Sequence, residues 1–475
     1  MTATTADYSL TGASTRAARE RGLANAEWFL ADVDPARMRE LQPRTDRRAT
    51  IDTMLWLTLL VGAGVWAYTT VWSWWSIPAF VVYGALYGGA SDSRWHEMGH
   101  GTAFRTRWPN EVIYLLASFM LFRGPTVWRW SHYRHHTDTI VVGRDPEIVF
   151  QRPPSVGRAL FAYTHLQGGT QMFLRLVRHA VGRLDDDAAA FVPRSEWRKV
   201  VWESRVFVAI VVAAIAWSIV ARTPLPILFI GGPTIYGAWL VVFFGITQHA
   251  GMRENVLDHR YNSRTVYMNP VFRFLYSNMN YHVEHHMFPS VPYHALPALH
   301  REIADQLAPP LPNTVAAYRQ IFTTLARQHR DPTYEIPLDV PDVPGARHRI
   351  DVGEANWVRH PDGAVDLAAA DSLDVGELRR IDVDGRTYVL ARLGDDEFAL
   401  CDGICTHAQV HLAGGALVEG QIECPKHNAR FDARTGEAVR KPAREPIGTY
   451  DVSEVEGRIV THLRRAHVAD VEVSR

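Results

Sequence analysis

Residues 280–300 read NYHVEHHMFPSVPYHALPALH and place histidines at positions 282, 285 and 286. Two related groups precede this stretch, HYRHH at residues 132–136 and HEMGH at residues 96–100. Residues three or four positions apart share a face of a helix, so each group would present two or three imidazoles on one side. An apolar core would leave several of these ring nitrogens without partners, whereas a metal ion satisfies them. The three groups therefore predict a metal site.

A further histidine, His249, lies two residues after an apolar stretch at residues 225–247 and can join the same site. Imidazole is a good ligand for iron, copper, zinc and nickel. Zinc sites are usually four-coordinate, so nine imidazoles exceed what one zinc ion needs. Two irons are the favoured interpretation, and a zinc hydrolase is the alternative that the spacing leaves open.

Four apolar stretches approach the ~20 residues that cross a bilayer core, and they are predicted to span a membrane. They are residues 51–72, 76–94, 205–221 and 225–247. The stretch Val112–Phe122 is too short to cross and is expected to form an interfacial or re-entrant helix. Buried core helices of a soluble protein are the alternative for all of these stretches.

Arginine and lysine residues flank the predicted spans on one side, whereas the turns between paired spans carry only Arg222. The positive-inside rule then predicts a protein of the cytoplasmic membrane, with both termini and the active site in the cytoplasm. Trp72, Trp74 and Trp75 cluster at the opposite turn, as interfacial tryptophans do. No signal peptide is expected, because residues 1–45 contain no long apolar stretch.

The C-terminal part of the chain carries a second, different set of ligand types. CTH at residues 405–407 and CPKH at residues 424–427 supply Cys405, His407, Cys424 and His427. Two thiolates and two imidazoles are what a Rieske [2Fe–2S] cluster requires. A zinc finger is the alternative, but it would need CxxC followed by a helical HxxxH, and neither is present. Cys401 has no partner in either pattern and is expected to be a buried thiol.

The three histidine boxes resemble those of the integral-membrane fatty acid desaturase and hydroxylase superfamily, over about residues 50–305. This resemblance implies about four transmembrane helices with a cytoplasmic helical cap, a non-haem diiron centre and O2-dependent attack on an unactivated C–H bond. By motif, it implies that the catalytic iron ligands are His96, His100, His132, His135, His136, His249, His282, His285 and His286. A ligating histidine usually donates its second N–H to a carboxylate, and Asp138 and Asp145 are the predicted acceptors.

Two longer segments resemble narrower families. HEMGHGTAF and WRWSHYRHHTDTIVVGRDPE are similar to the membrane oxygenase of rhizopine catabolism, which is associated with oxidative removal of an O-methyl group alongside a Rieske ferredoxin and a reductase. HLAGGAL and CPKHNARFDARTGEAVRKPA resemble bacterial Rieske ferredoxins, in which a third loop, here at Pro442, covers the cluster.

The chain is therefore expected to be a multi-domain protein that joins an α-helical membrane domain to a small all-β domain. The expected parts are a cytoplasmic N-terminal arm at residues 1–50, a desaturase-like membrane domain at 51–305, an amphipathic helix and Pro-rich linker at 306–350, and a Rieske domain at 351–466. The linker prediction rests on the prolines between Pro332 and Pro344.

The predicted function is O2-dependent oxidation of a lipid or lipid-like chain, with two irons, one [2Fe–2S] cluster and electrons delivered by the fused Rieske domain. Hydroxylation or oxidative O-demethylation of a small secondary metabolite is the alternative, and a non-catalytic redox sensor or electron-transfer protein is a third. An external NAD(P)H-dependent ferredoxin reductase is expected, because no G-x-G-x-x-G fingerprint is apparent. A formal net charge of -1 argues against nucleic acid as a partner.

Overall fold

The protein is described from a computed structural model, which covers residues 6–24, 28–343, 357–407, 410–426 and 428–467. The predicted cluster ligand His427 and the end of the predicted linker lie outside these described residues. The chain forms two compact units. The first comprises Met1–Ala24, Pro43–His286 and Val291–Pro341, and the second comprises Asn25–Gln42, Met287–Ser290 and Asp342–Arg475.

Helices dominate the chain before residue 331. In chain order they are α1 (Ala13–Glu20), α2 (Pro35–Leu41), α3 (Asp46–Thr69), α4 (Ser76–Gly84), α5 (Ala90–His100), α6 (Arg107–Met120), α7 (Pro125–Asp138), α8 (Val156–Ala162), α9 (Leu166–Ala180), α10 (Asp186–Phe191), α11 (Trp197–Val220), α12 (Leu225–Phe229), α13 (Gly232–Tyr236), α14 (Trp239–His249), α15 (His259–Asn262), α16 (Pro270–Leu275), α17 (His282–Met287), α18 (Leu296–Ile303) and α19 (Thr314–Arg330).

Two of the described helices, Asp46–Thr69 and Arg194–Val220, are long and apolar enough to cross a membrane. The predicted count of four spanning helices is therefore not confirmed. The last predicted span is divided into α12, α13 and α14. Pro224, Pro226 and Pro233 lack backbone N–H donors there, and Gly231 has a φ of +84°, which ends the helical path.

The second predicted span follows a helical path with a change of pitch. A π-helix at Ala85–Gly89 connects α4 to α5. The backbone packs closely against the start of the last apolar stretch at this point, because a Cβ atom on Gly84 would lie 2.7 Å from the Cα atom of Gly237. This contact holds together the segments that lead into α5 and α14, and both of those helices end in a histidine of the predicted metal site.

The described residues between 357 and 467 form an all-β domain, as predicted. Its strands are β1 (Val358–Arg359), β2 (Val365–Ala369), β3 (Leu378–Val383), β4 (Arg386–Gly394), β5 (Glu397–Asp402), β6 (Ala416–Val418), β7 (Gln421–Glu423), β8 (Arg430–Asp432), β9 (Ala438–Arg440), β10 (Thr449–Val455) and β11 (Arg458–His467).

These strands make two antiparallel sheets. The larger has the order β1-β2-β11-β10-β5-β4-β3, and the smaller has the order β6-β7-β8-β9. Cys405 and Cys424 are buried in a core cluster that also contains Val389, Leu412 and Phe431. Cys424 lies between β7 and β8 of the smaller sheet, and Cys405 lies between β5 and β6, where the chain passes from the larger sheet to the smaller one.

Candidate metal centres

Four helices carry the nine predicted iron ligands. His96 and His100 lie on α5, which ends where Gly101 adopts a left-handed conformation with a φ of +64°. The HYRHH group occupies the second half of α7, His249 is the last residue of α14, and the HVEHH group forms most of α17. The helical spacing thus places the histidines of each box toward the interior of the helical unit.

The structure brings all nine histidines together in two groups. In each group, ligand-type atoms of every member lie within 4.8 Å of one another. The larger group has five members and the smaller has four: His96, His100, His132, His136 and His285 in the first, and His135, His249, His282 and His286 in the second. All are buried except His249, which is partly buried.

Distances within each group fit ligands of a common metal ion. In the larger group the Nε2 atoms of His96 and His285 are 2.8 Å apart, and those of His100 and His132 are 3.0 Å apart. In the smaller group His282 Nε2 lies 2.9 Å from His249 Nε2 and 3.1 Å from His286 Nε2. Metal–nitrogen bonds of ~2.1 Å place neighbouring ligand nitrogens about 3 Å apart. The Nε2 atoms therefore converge as metal ligands do.

Hydrogen-bond acceptors contact the second ring nitrogen, Nδ1, of several of these histidines. Asp145 Oδ2 lies 2.9 Å from Nδ1 of His135, and Glu147 Oε2 lies 3.3 Å from Nδ1 of His132. The carbonyl oxygen of Asn262 accepts from Nδ1 of His249 at 2.8 Å. A histidine that donates through Nδ1 keeps the lone pair of Nε2 for a metal ion.

The protonation of these rings also suits metal binding. Burial and neighbouring histidines hold the pKa well below its usual value for His96, His136, His249, His282, His285 and His286. Burial also lowers the pKa of His135, but the charges of Asp145 and Glu147 outweigh it and raise that pKa to about 8. Most of the set is therefore neutral at pH 7, which is the form that binds metals.

The carboxylate of Asp138 forms ion pairs with arginines. Its carboxylate lies 3.0 Å from Nε of Arg144 and 3.2 Å from Nε of Arg134, and its described contacts include no histidine ring. Among the described residues Asp138 therefore contacts two arginines rather than a ligand histidine, and its role beside the metal site stays a prediction. Glu147 lies beside His132 instead, and sequence reasoning missed it.

The signal for Glu147 was present in the sequence. It lies two residues after Asp145 in the segment RDPE, and its backbone N–H donates to Asp145 Oδ1 at 2.8 Å. Ser131 Oγ donates to Glu147 at 2.9 Å and fixes its side chain beside His132. The two loop carboxylates, Asp145 and Glu147, thus indicated the hydrogen-bond acceptors of the histidines better than Asp138, which lies on α7 with the histidines themselves.

The structure describes three of the four predicted cluster ligands in the β domain. Cys405 and Cys424 are buried and are not joined in a disulfide, and His407 is partly buried. Burial, with the charges of Lys426 and Arg444, lowers the pKa of His407 to about 4, which keeps its imidazole neutral. This donor set of thiols and imidazole is the kind that a Rieske cluster uses.

A third loop packs against the first cluster loop. Thr406 Oγ1 donates to the carbonyl oxygen of Glu445 at 2.8 Å, three residues after Pro442. Cys401 lies apart from the ligand pattern as a buried thiol, with its Sγ atom 3.3 Å from the carbonyl oxygen of Ala433.

Comparison with known families agrees with both halves of this description. The family model described as fatty acid desaturase matches residues 72–316, which is more than half of the chain. The chain belongs to the fatty acid desaturase family. The model described as Rieske [2Fe-2S] domain matches residues 363–451. This desaturase-family chain therefore carries a [2Fe–2S] cluster in its β domain, and the histidine-rich site of its helical domain fits a diiron centre.

Individual relatives resemble the Rieske part. The chain is 32% identical over 108 residues to the ferredoxin component of a naphthalene 1,2-dioxygenase/salicylate 5-hydroxylase system of Ralstonia sp., covering 23% of this chain and 96% of that protein. It is 32% identical over 109 residues to the anthranilate 1,2-dioxygenase ferredoxin subunit of Burkholderia cepacia, covering 23% and 94%. A solved ferredoxin of carbazole 1,9a-dioxygenase from Nocardioides aromaticivorans IC177 is 34% identical, covers 21% of this chain and 95% of that chain, and has a TM-score of 0.20.

Proposed function

We propose that this desaturase-family protein is a membrane enzyme that uses O2 to oxidise an unactivated C–H bond of a lipid or lipid-like chain. The observation that carries the proposal is the convergence of nine histidines in two groups of five and four. A reduced diiron centre supplies the activation of O2 in this chemistry. The protein's own residues hold the metals, exclude bulk water from a buried site and position the substrate.

The ligand assignment follows the two groups. His96, His100, His132, His136 and His285 would hold one iron, and His135, His249, His282 and His286 would hold the other. Asp145 would orient His135 by accepting its Nδ1–H. In the β domain, Cys405 and Cys424 would bind one iron of the cluster, and His407 and His427 would bind the other.

Exposed apolar surface supports the membrane placement. Only 22% of the most apolar window of each candidate span is buried, whereas a core helix of a soluble protein is mostly buried. Trp72 and Trp74, in the turn that follows α3, are 87% and 88% exposed. Tryptophan is favoured at membrane interfaces, and the arginines at the opposite end of α3 favour a cytoplasmic start for this helix. Both termini and the active site would then be cytoplasmic.

Electrons would reach the diiron centre through the fused Rieske domain. A [2Fe–2S] cluster held by Cys405, His407, Cys424 and His427 would supply one-electron transfer, and tethering would make each encounter intramolecular. The ferredoxins that resemble this domain belong to multicomponent dioxygenase systems by their names. An external NAD(P)H-dependent reductase would reduce the cluster. Residues 51–305 would form the catalytic domain, and residues 351–466 would form the redox domain.

The test is turnover by the purified, iron-loaded protein in lipid nanodiscs. With a ferredoxin reductase and NADPH, O2 consumption should depend on added lipid substrate, and mass spectrometry should find a desaturated or hydroxylated product. The protein with His285→Ala should consume no substrate-dependent O2, and wild-type protein with NADPH alone should be inactive. Turnover without a reductase would contradict the electron route. Oxidation of a small polar metabolite but of no lipid would favour the hydroxylase or O-demethylase alternative.

A further inference from the structure

A cavity of about 250 Å³ lies in the helical unit against α5, away from the metal ligands. Arg94 and Met98, which line it, are each two residues from His96, so they lie on the opposite face of the helix. We call this space the basic cavity. Its polar lining comes from α3, α5, α16 and the residues before α18, including Arg48, Asp52, Arg94, Glu97, Arg273 and Tyr293.

Two of its three arginines make no ion pair with a carboxylate of any residue that the structure describes. Asp52 is already engaged, since it lies 3.0 Å from Nε of Arg48 and accepts from the Tyr293 hydroxyl at 2.6 Å. Arg94 is 4% exposed, and its acceptors among the described residues are uncharged oxygens, including the carbonyl oxygen of Leu275 at 2.6 Å. Arg273 Nε donates to Asn278 at 3.0 Å and makes no ion pair with any residue that the structure describes.

A buried acceptor, Glu97, also lines this cavity. Glu97 is 2% exposed, and its Oε1 accepts from Thr102 Oγ1 at 2.7 Å and from the backbone N–H of Tyr293 at 3.2 Å. Its Oε2 has no hydrogen-bond partner within the described ranges. Leaving a buried charge and a buried acceptor unpaired is costly, and a ligand with an anionic group next to an N–H or O–H donor satisfies both.

We propose that the basic cavity binds the head group of a phospholipid, with the phosphodiester against Arg94 and Arg273 and a head-group hydroxyl or ammonium against Glu97. Arg48 and Asp52 lie in the first two turns of α3, and the rest of that helix is a candidate membrane span. The cavity therefore lies where the span begins, which is the level of lipid head groups. Its volume is below the ~300–1,000 Å³ of pockets for whole drug-sized ligands, which suits a head group alone.

This inference rests on the proposed membrane placement and not on catalysis, so its test needs neither O2 nor substrate. The iron-loaded, full-length protein is stripped of lipid in detergent and titrated with phosphatidylethanolamine, phosphatidylglycerol or phosphatidylcholine, and native mass spectrometry counts the bound lipids. One site of higher affinity is expected for the first two lipids, whose head groups carry N–H or O–H donors. Phosphatidylcholine has no such donor and should bind more weakly.

Arg273→Gln should weaken binding at this site about 10-fold or more, because a charge-assisted hydrogen bond is lost. Arg301→Gln removes the same charge from an exposed position outside the cavity and should leave binding unchanged. Iron content and thermal melting of the variants are measured alongside, and Arg273→Lys should retain most of the affinity if Arg273→Gln proves less stable. Equal lipid binding by wild type and both glutamine variants would overturn the proposal. Displacement of the lipid by equimolar inorganic phosphate would also overturn it, because the site would then belong to free phosphate.

Discussion

Asp145 accepts hydrogen bonds from both the ring of His135 and the chain that follows α7. Its Oδ2 atom lies 2.9 Å from Nδ1 of His135 and 2.8 Å from the backbone nitrogen of Ile140. Asp145 is 3% exposed, so water does not compete for these bonds. The carboxylate thus ties the orientation of one proposed iron ligand to the loop after the helix that carries it.

Replacing Asp145 with alanine should lower the affinity of the diiron site for iron about 10–100-fold, because the ring of His135 loses the acceptor that orients it. Competition with a coloured iron chelator measures this affinity. Asp138→Asn is the control, since Asp138 is as buried as Asp145 but contacts Arg134 and Arg144. That control should lower folding stability but keep iron affinity within about twofold of wild type. Equal losses of iron from both variants would show that Asp145 acts on the fold alone.

The two metal centres should be separable by mutation. Wild-type protein should contain about four irons and two acid-labile sulfides per chain, two irons in each centre. His285→Ala should remove the diiron centre and keep the visible and EPR signals of the Rieske cluster. Cys405→Ser should remove those signals and keep the other two irons. A single substitution that empties both centres, or zinc in place of iron, would contradict the assignment.

Cys401 should resist alkylation in the folded protein. Burial, with the charges of Asp402 and Asp432, raises the pKa of this thiol to about 12. At pH 8 the reactive thiolate is then only about one part in ten thousand. Iodoacetamide followed by peptide mass spectrometry should find Cys401 unmodified in the native protein and modified after unfolding. Fast labelling of Cys401 at pH 8 in protein with an intact cluster spectrum would show that this strand opens readily.

The proline-rich segment between Pro332 and Pro344 should act as a tether for electron transfer. A protease site inserted there allows the chain to be cut after the protein has folded. Activity should then fall at low protein concentration, because tethering supplies an effective concentration of order mM. It should recover as the cut protein is concentrated. An inserted but uncut protein is the matched control, and unchanged activity of the cut protein at nanomolar concentration would exclude the tether.

The histidine site was predictable because its information is local. Spacings of three and four residues place imidazoles on one helix face, and each box carries that spacing within five residues. The acceptors of the second ring nitrogen were predictable only in part, because their positions depend on a loop. Asp138 lies on the same helix as His135 but forms ion pairs with two arginines. Asp145 and Glu147 lie on the following loop and contact the histidine rings.

For the apolar segments, composition predicted the conformation only in part. Composition alone makes residues 225–247 as suitable for a span as residues 51–72. The structure divides the former at Gly231 and Gly237 and keeps the latter as one helix. Hydropathy counts apolar residues, but prolines and glycines decide whether a continuous helix can form.

The close packing of Gly84 on Gly237 makes the metal site sensitive to residues that never approach a metal. A side chain at either glycine would push apart the two backbones that lead into α5 and α14. His96 and His100 on α5 share one metal group with histidines of α7 and α17, and His249 on α14 shares the other group with histidines of the same two helices. Such a push would therefore shift ligands relative to one another within each group. Variation at these two glycines is therefore a means by which natural or laboratory selection can retune the metal pair while leaving every ligand intact.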